Sequence, residues 1–138
     1  MNGSTDMATM TLLVALSRLA EEKLTMVQLV TTAERVGHLA RLLWGRRRLP
    51  ADAPALSAAA SELATAAKAL VPGARCLHMA TAAHVWLAGH GVPSRVVVGF
   101  RKRDGLEGHA WLEVLVDELQ IALFREDDDG FREVWRQS

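Results

Sequence analysis

The residues of this sequence best suited to nucleophilic chemistry are its only cysteine and a histidine in the C-terminal half. Cys76 begins a helix-like run, Cys-Leu-His-Met-Ala-Thr-Ala-Ala-His-Val-Trp-Leu, and His109 begins a strand-like run, His-Ala-Trp-Leu-Glu-Val. The pKa of a thiol at a helix start is lowered by the unpaired backbone N–H groups and the positive end of the helix dipole, and a neighbouring histidine can complete its activation. The two residues therefore predict a cysteine nucleophile and its base.

The same residue types also have structural interpretations. A lone cysteine in an alanine-rich helix is often a small buried hydrophobic residue. His78, His84 and His90 recur every six residues, which scatters them around a helix, so we expect surface or capping histidines and no zinc site. The run Asp127-Asp128-Asp129-Gly130 lacks the twelfth-position glutamate of a calcium loop and indicates a turn. No metal and no cofactor is expected.

Composition limits the class of protein. The chain has 138 residues, of which 50% are apolar and 23% charged, and its formal net charge is zero. Such a chain is expected to form one domain, and its balanced charge does not favour nucleic acid or an anionic membrane. Charges interrupt the apolar stretches before the ~20 residues that a membrane span needs. The N-terminus lacks the basic region of a signal peptide and one cysteine cannot form an internal disulfide, so we expect a cytoplasmic protein.

Helical periodicity dominates the first part of the chain. Apolar residues recur at helical spacing from Met7 to Trp44, which predicts one or two helices with a break near Glu22 to Thr25. The segment from Gly45 to Pro54 indicates a loop. The alanine-rich segment from Leu56 to Val71 predicts a further helix with Ser57 as its N-cap.

The pattern changes from helix to strand after the cysteine run. That run predicts a helix that begins near Ala74 to Cys76 and ends at Gly89-His90-Gly91. Three strands are predicted beyond it: Ser94–Phe100, His109–Leu115 and Leu119–Phe124, with a charged turn from Arg101 to Gly108. We therefore predict an α+β fold in a single domain, 1–138. Its helical part (1–71) precedes a nucleophile helix packed on a small antiparallel sheet (72–138).

Three segments together resemble a known family. Arg75-Cys76-Leu77, the run from Gly91 to Gly99 and His109-Ala110-Trp111-Leu112-Glu113-Val114 are similar to the transglutaminase-like leader peptidases of lasso-peptide biosynthesis. The resemblance covers roughly the C-terminal half and implies a transglutaminase- or papain-like core. It also implies a cysteine protease that cuts the leader from a ribosomally made precursor peptide, with Cys76 as nucleophile and His109 as general base.

The same resemblance implies partners for the protein. In that family a separate small leader-recognition protein usually presents the precursor, and we expect a maturation cyclase as a further partner. A small domain of balanced charge also has little surface with which to recognise a long leader. The N-terminal helices carry apolar residues that either line a docking groove or are buried: Met7, Met10, Leu12, Leu13, Met26 and Leu29.

Two positions depart from the family pattern. Relatives have a positively charged residue shortly after the Cys-Leu pair, where this sequence has His78 and Met79. The carboxylate that orients the imidazole in relatives falls on Ile121, which cannot accept a proton. The chain is therefore either an active leader peptidase or, as the alternative, a catalytically inactive peptide-binding or scaffold module with the same fold. Acyl transfer to an amine, as in true transglutaminases, is a third possibility, because it shares the thioester and differs only in the acceptor.

Hairpin geometry ranks the replacements for the missing carboxylate. If the turn is centred at Asp117-Glu118, paired positions sum to about 235 and His109 lies opposite a residue near Glu126. Glu126 or Asp127 is then in reach, and Glu126 is the preferred third catalytic residue. Asp117 lies on the order of 25 Å from His109 along the strand and is rejected. A backbone or amide oxygen is the remaining way to hold the ring.

Three further features bear on the site. The backbone N–H of Cys76 is the natural first donor of an oxyanion hole. Trp111 shares a strand face with His109 and either shields the Cys-His pair from water or packs in the core. Glu113 lies on the same face and either pairs with an arginine such as Arg95 or lies at the sheet edge in solvent.

Overall fold

A computed structural model describes residues 3–44, 53–102, 106–116, 119–124 and 132–136. Its helices are α1 (Gly3–Glu21), α2 (Met26–Trp44), α3 (Ala53–Leu70) and α4 (Cys76–Gly89). The break predicted near Glu22 to Thr25 is confirmed. Thr25 starts α2 because its hydroxyl accepts from the Gln28 N–H, while the Gln28 side chain accepts from the Thr25 N–H, a reciprocal capping box.

The start of α3 differs from the prediction. The helix begins at Ala53, with Pro54 in its first turn, where the absence of a proline N–H costs no hydrogen bond. Ser57 is therefore not the N-cap but a buried residue inside the helix, and its hydroxyl donates to the carbonyl of Ala53. Its type suits both roles, because serine hydroxyls bond nearby backbone groups in caps and within helices alike.

The sheet is antiparallel and has four described strands: β1 (Ser94–Lys102), β2 (Leu106–Val116), β3 (Leu119–Leu123) and β4 (Arg132–Arg136), in the order β3-β2-β1-β4. The predicted α+β fold is thus confirmed. The predicted charged turn over residues 101–108 is mostly strand, because Arg101 pairs with Glu107 and Lys102 with Leu106. The fourth strand was not predicted from the sequence.

The hairpin register is the predicted one. Leu112 pairs with Leu123 and Val116 with Leu119, so paired positions sum to 235. The β4 register shifts between Val98 and Gly99 of β1, an irregularity beside the strand position that faces His109. Such bulges concentrate where a strand must aim a side chain.

Helix α4 lies at the centre of the molecule, and almost its whole length is buried. It packs on α1, α2 and α3 and on the β1–β2 pair. Its two sides therefore both carry apolar residues, which is typical of a helix enclosed by protein. Gly37 of α2 makes one of these contacts very close: a Cβ there would lie 2.9 Å from the Ala88 Cβ of α4. None of the described helices combines the length and apolarity that crossing a membrane requires.

The N-terminal apolar residues divide between core and surface. Met10 and Leu29 are buried, and Met7 and Leu13 pack against the core. Leu12 is 58% exposed, together with Leu16 and Leu19 on the same side of α1. The side chain of Met26 lies outside the described residues.

Candidate active site

Cys76 is the first residue of α4, as the sequence predicts, and is the only cysteine of the chain. The preceding residue, Arg75, is extended, with φ −127° and ψ 179°. The thiol residue is half-buried and packs against the core. Because the first N–H groups of a helix have no intrahelical acceptor, those of Cys76 and Leu77 belong to the set that can bind an anionic oxygen.

The start of α4 is held by His78. Its Nδ1 accepts the backbone N–H of Arg75 at 2.8 Å, and the His78 N–H donates to the Arg75 carbonyl at 3.0 Å. The His78 Nε2 donates to Oε2 of Glu21, the last residue of α1, and the guanidinium of Arg75 donates to Oε1 of the same carboxylate. His78 is completely buried, so the expectation of a surface histidine was wrong here, although its capping role is confirmed.

His78, which directly follows the Cys76-Leu77 pair, is neutral. Burial, with smaller effects of the Arg75 and Arg18 charges, lowers the pKa of His78 to about 4. The hydrogen bonds agree with this, because a ring nitrogen that accepts from a backbone N–H cannot also be protonated. The positive side chain at this helix start is Arg75, which precedes the cysteine.

His109 lies on β2 opposite Gly99 and is buried. Its Nε2 donates to the carbonyl of Phe124 at 2.6 Å, and its ring stacks on Trp111 with a centroid distance of 6.1 Å. A neutral imidazole with its proton on Nε2 keeps Nδ1 as the basic nitrogen. A backbone oxygen therefore holds this ring, which is one of the arrangements left open by the sequence.

Phe124 can present its carbonyl to His109 because the chain turns sharply there. It is the only described non-glycine residue with a positive φ, 66°, and follows directly after β3. This conformation is costly for a phenylalanine, so the surrounding contacts must stabilise it. Glu126 and Asp127, the predicted orienting carboxylates, and the rejected Asp117 lie outside the described residues.

The chain reverses direction between α4 and β1. The loop of residues 90–93 is short, and the His84 Nδ1 lies 2.9 Å from the Ser94 hydroxyl where β1 begins, so β1 runs back along α4. From this contact Cys76 lies about 12 Å along the helix and His109 about 16 Å along the sheet. Both residues thus lie away from the loop that joins α4 to β1, one on the helix and one on the sheet.

His109 belongs to one face of β2, and the residues of β2 that pack on the helices belong to the other face. His109, Trp111 and Glu113 share one face, whereas Ala110, Leu112 and Val114 belong to the core formed with the helices. One hydrogen bond and one ring contact of His109 join it to Phe124 and Trp111.

The two other residues on the histidine face have defined roles. Trp111 is buried beside His109, so it both packs within the protein and covers one side of the imidazole. Arg95 donates from Nε to Oε1 of Glu113 at 3.1 Å across the β1–β2 pair, so the predicted pairing is confirmed. These contacts stiffen the sheet below His109.

A second polar cluster lies at the other end of α4. A cavity of about 110 Å³ is lined by residues that include Glu34, His38, His84 and Ser94. His84 is buried, so the expectation of a surface residue was wrong, and burial lowers its pKa to about 4. His90 is a capping residue, as expected, since its Nδ1 donates to the Trp86 carbonyl at 2.8 Å. Among the described residues no group of three or more potential ligands could hold a metal ion.

The fold and the site define a class of protein: an α+β core in which a cysteine opens a central helix that packs on an antiparallel sheet. A family model for the transglutaminase-like superfamily matches residues 23–136. The chain belongs to the transglutaminase-like superfamily, a group that includes cysteine peptidases. No curated protein and no solved structure matches the chain.

Proposed function

We propose that this protein is a cysteine peptidase that removes the leader from a ribosomally synthesised precursor during lasso-peptide maturation. The observation that carries the proposal is the position of Cys76, the only thiol, at the first residue of a central helix that packs on the strand bearing His109. Membership of a superfamily that includes cysteine peptidases supports the reaction class. The lasso-peptide substrate rests on the resemblance of the Arg-Cys-Leu and His-Ala-Trp segments.

The chemistry follows from the two side chains. His109 takes the thiol proton on Nδ1, and the Cys76 thiolate attacks the carbonyl carbon of the scissile peptide bond. The backbone N–H of Cys76 donates to the resulting oxyanion. The C–N bond then breaks, the imidazolium protonates the amine of the departing core peptide, and the leader remains as a Cys76 thioester. His109 next deprotonates a water molecule, which hydrolyses the thioester and frees the leader and the thiol.

Orientation of the base is divided between two groups in this proposal. The Phe124 carbonyl holds Nε2 and so selects the tautomer in which Nδ1 is basic. A carbonyl carries no full charge, so it stabilises the imidazolium less than a carboxylate does. Glu126 is proposed to supply that charge, with Asp127 as the substitute candidate.

Recognition of the leader is proposed to come from outside the domain. The formal net charge is zero, so the net charge does not steer a charged peptide towards the protein. A separate small leader-recognition protein is therefore proposed to present the precursor, and a maturation cyclase to act in the same cytoplasmic assembly. The exposed leucines of α1, Leu12, Leu16 and Leu19, offer an apolar surface for one of these partners.

The test is cleavage of a lasso precursor in the presence of its leader-recognition protein, followed by mass spectrometry. The proposal predicts one cut, a leader product that has gained water, and loss of cleavage in Cys76→Ala and His109→Ala. A leader that has gained an amine instead would indicate acyl transfer of the transglutaminase type. Cleavage that persists in Cys76→Ala would contradict the proposal.

One observation favours a second candidate function, an inactive peptide-binding or scaffold module. His109 belongs to the strand face opposite to the one whose Ala110 and Leu112 pack in the core with the helices, and Cys76 packs against that core. A module of this kind would bind the leader equally well as wild type and as Cys76→Ala, and would show no turnover with any partner. Binding isotherms of the two proteins, measured beside the cleavage assay, separate the two functions.

A further inference from the structure

We infer that Glu21 and His78 form a clamp that positions Cys76, so that both are positioning residues for the reaction. The inference rests on the proposed function for its catalytic consequence, although the clamp itself is a property of the fold. It consists of one carboxylate on α1 that binds the residues on either side of the nucleophile: the guanidinium of Arg75 before it and the imidazole of His78 after it.

The hydrogen bonds of the clamp form a closed ring. The Arg75 N–H donates to the His78 Nδ1, the His78 Nε2 donates to Glu21, and Glu21 also accepts from the Arg75 side chain. Each member therefore restrains two others, and the backbone of residues 75–78 is fixed on both sides of Cys76. A side chain three residues into a helix that accepts the N-cap N–H is the second half of a capping box, a role that glutamine or glutamate usually has.

The clamp has a direct consequence for the oxyanion site. The backbone N–H of Arg75 donates to the His78 ring, and the backbone N–H of His78 donates to the Arg75 carbonyl. These two N–H groups therefore already have acceptors and do not compete with those of Cys76 and Leu77 for an anion. The anion-binding end of α4 is thereby centred on the nucleophile. Loss of the clamp allows the first turn to fray and moves the thiolate away from the helix dipole.

Neutral His78 makes a specific substitution test available. Glutamine can accept the Arg75 N–H with its oxygen and donate to Glu21 with its amide, so His78→Gln reproduces both bonds without a titrating group. His78→Leu has neither bond and leaves the Arg75 N–H and the Glu21 carboxylate without this partner. Glu22→Gln is the matched control, because Glu22 is adjacent to Glu21 but exposed and paired with Arg18.

The experiment is hydrogen exchange of the Arg75 amide, read with the pH midpoint of Cys76 alkylation in the same variants. We expect the Arg75 amide to exchange at least tenfold more slowly in wild type, His78→Gln and Glu22→Gln than in His78→Leu. We also expect the alkylation midpoint of His78→Leu to rise by roughly half a unit as the helix dipole acts less on the thiolate. In the cleavage assay His78→Leu should lower kcat with KM unchanged, and His78→Gln should restore it.

Equal protection and an equal midpoint in His78→Leu and wild type would overturn the inference. If His78→Leu fails to fold, Glu21→Ala removes the shared carboxylate at the end of α1 and is expected to expose the same amide; unchanged exchange there overturns the inference as well. The proposed function fails separately, if the wild-type thiol titrates like free cysteine, and in that case the Arg75 amide still tests the clamp.

Discussion

The Nε2 of His109 donates to the backbone carbonyl of Phe124 at 2.6 Å, and Phe124 reaches this position with a φ of 66°. The orientation of the proposed base thus depends on an unfavourable backbone conformation. Side chains differ in how well they tolerate it: a β-branched residue at positive φ is a strong outlier, whereas an unbranched residue pays a cost similar to that of phenylalanine.

Phe124→Val is therefore expected to displace the carbonyl and to lower kcat for precursor cleavage by about tenfold or more, because a misplaced base loses much of its contribution. Phe124→Leu is the matched control, since it also removes the aromatic ring but is not branched at Cβ. Steady-state kinetics of the two variants provide the measurement. Equal kcat in both variants would show that the Phe124 backbone does not orient the base.

Glu126 provides the second prediction about the base. If a carboxylate adds charge stabilisation to the neutral carbonyl, Glu126→Gln is expected to lower kcat by roughly tenfold to a hundredfold, less than the ~10⁴-fold effect of removing the carboxylate from a complete serine-protease triad. Asp127→Asn should have a smaller effect. The acid limb of the kcat/KM profile should also move to lower pH in Glu126→Gln, because the imidazolium loses a stabilising charge. A wild-type profile in Glu126→Gln would contradict a role of Glu126 in stabilising the imidazolium.

Stability is expected to decrease in mild acid because of two buried histidines. His78 and His84 have pKa values lowered to about 4 by burial, compared with 6.5 in the unfolded chain. The unfolded chain therefore binds more protons between these values, so the free energy of unfolding is fully maintained above about pH 6.5 and falls as the pH drops towards 4. At about 1.4 kcal/mol per pKa unit, each histidine contributes at most about 3–4 kcal/mol.

Urea denaturation at a series of pH values measures this dependence. The slope of the free energy of unfolding against pH reports the number of protons taken up on unfolding. His78→Gln and His84→Gln should each reduce this number by up to one between pH 4 and 6.5, because glutamine does not titrate. A slope that is the same in both variants as in wild type would show that these histidines are not the groups responsible.

The contact between α2 and α4 predicts a specific steric effect. A Cβ at residue 37 would lie 2.9 Å from the Cβ of Ala88, and neither atom is at the end of a flexible side chain. Gly37→Ala is thus expected to destabilise the protein by about 1–3 kcal/mol, despite the better helix propensity of alanine. The double variant Gly37→Ala/Ala88→Gly should recover most of this loss in chemical denaturation. Destabilisation that persists in the double variant would point to a cause other than the Ala88 contact.

Local signals in the sequence were sufficient for much of the architecture. The helix break near Thr25, the start of α4 at Cys76, the hairpin register and the Arg95–Glu113 pair all depend on residues close in sequence or on the fixed geometry of an antiparallel pair. These features could be predicted because capping, turn position and strand alternation act locally.

The features that sequence patterns missed depend on contacts between distant elements. His78 is buried because Glu21, at the end of α1, supplies its partner, and nothing within α4 indicates this. The positive φ of Phe124 depends on the path of the chain after β3. Strand β4 is short, and it forms by pairing with the distant β1. The sequence did contain one signal for His78. It lies three positions after Arg75, the residue before the helix, and its ring can accept a hydrogen bond, which fits a capping box.

The central claim, that His109 activates Cys76, is tested most directly by the alkylation rate of Cys76 as a function of pH in wild type and in His109→Ala. Because the chain contains a single cysteine, the rate reports this thiol alone. If His109 activates the thiol, the wild-type midpoint is expected well below the ~8.5 of free cysteine and should return towards that value in His109→Ala. An ordinary midpoint that does not change in His109→Ala would contradict the central claim and would favour the inactive binding module.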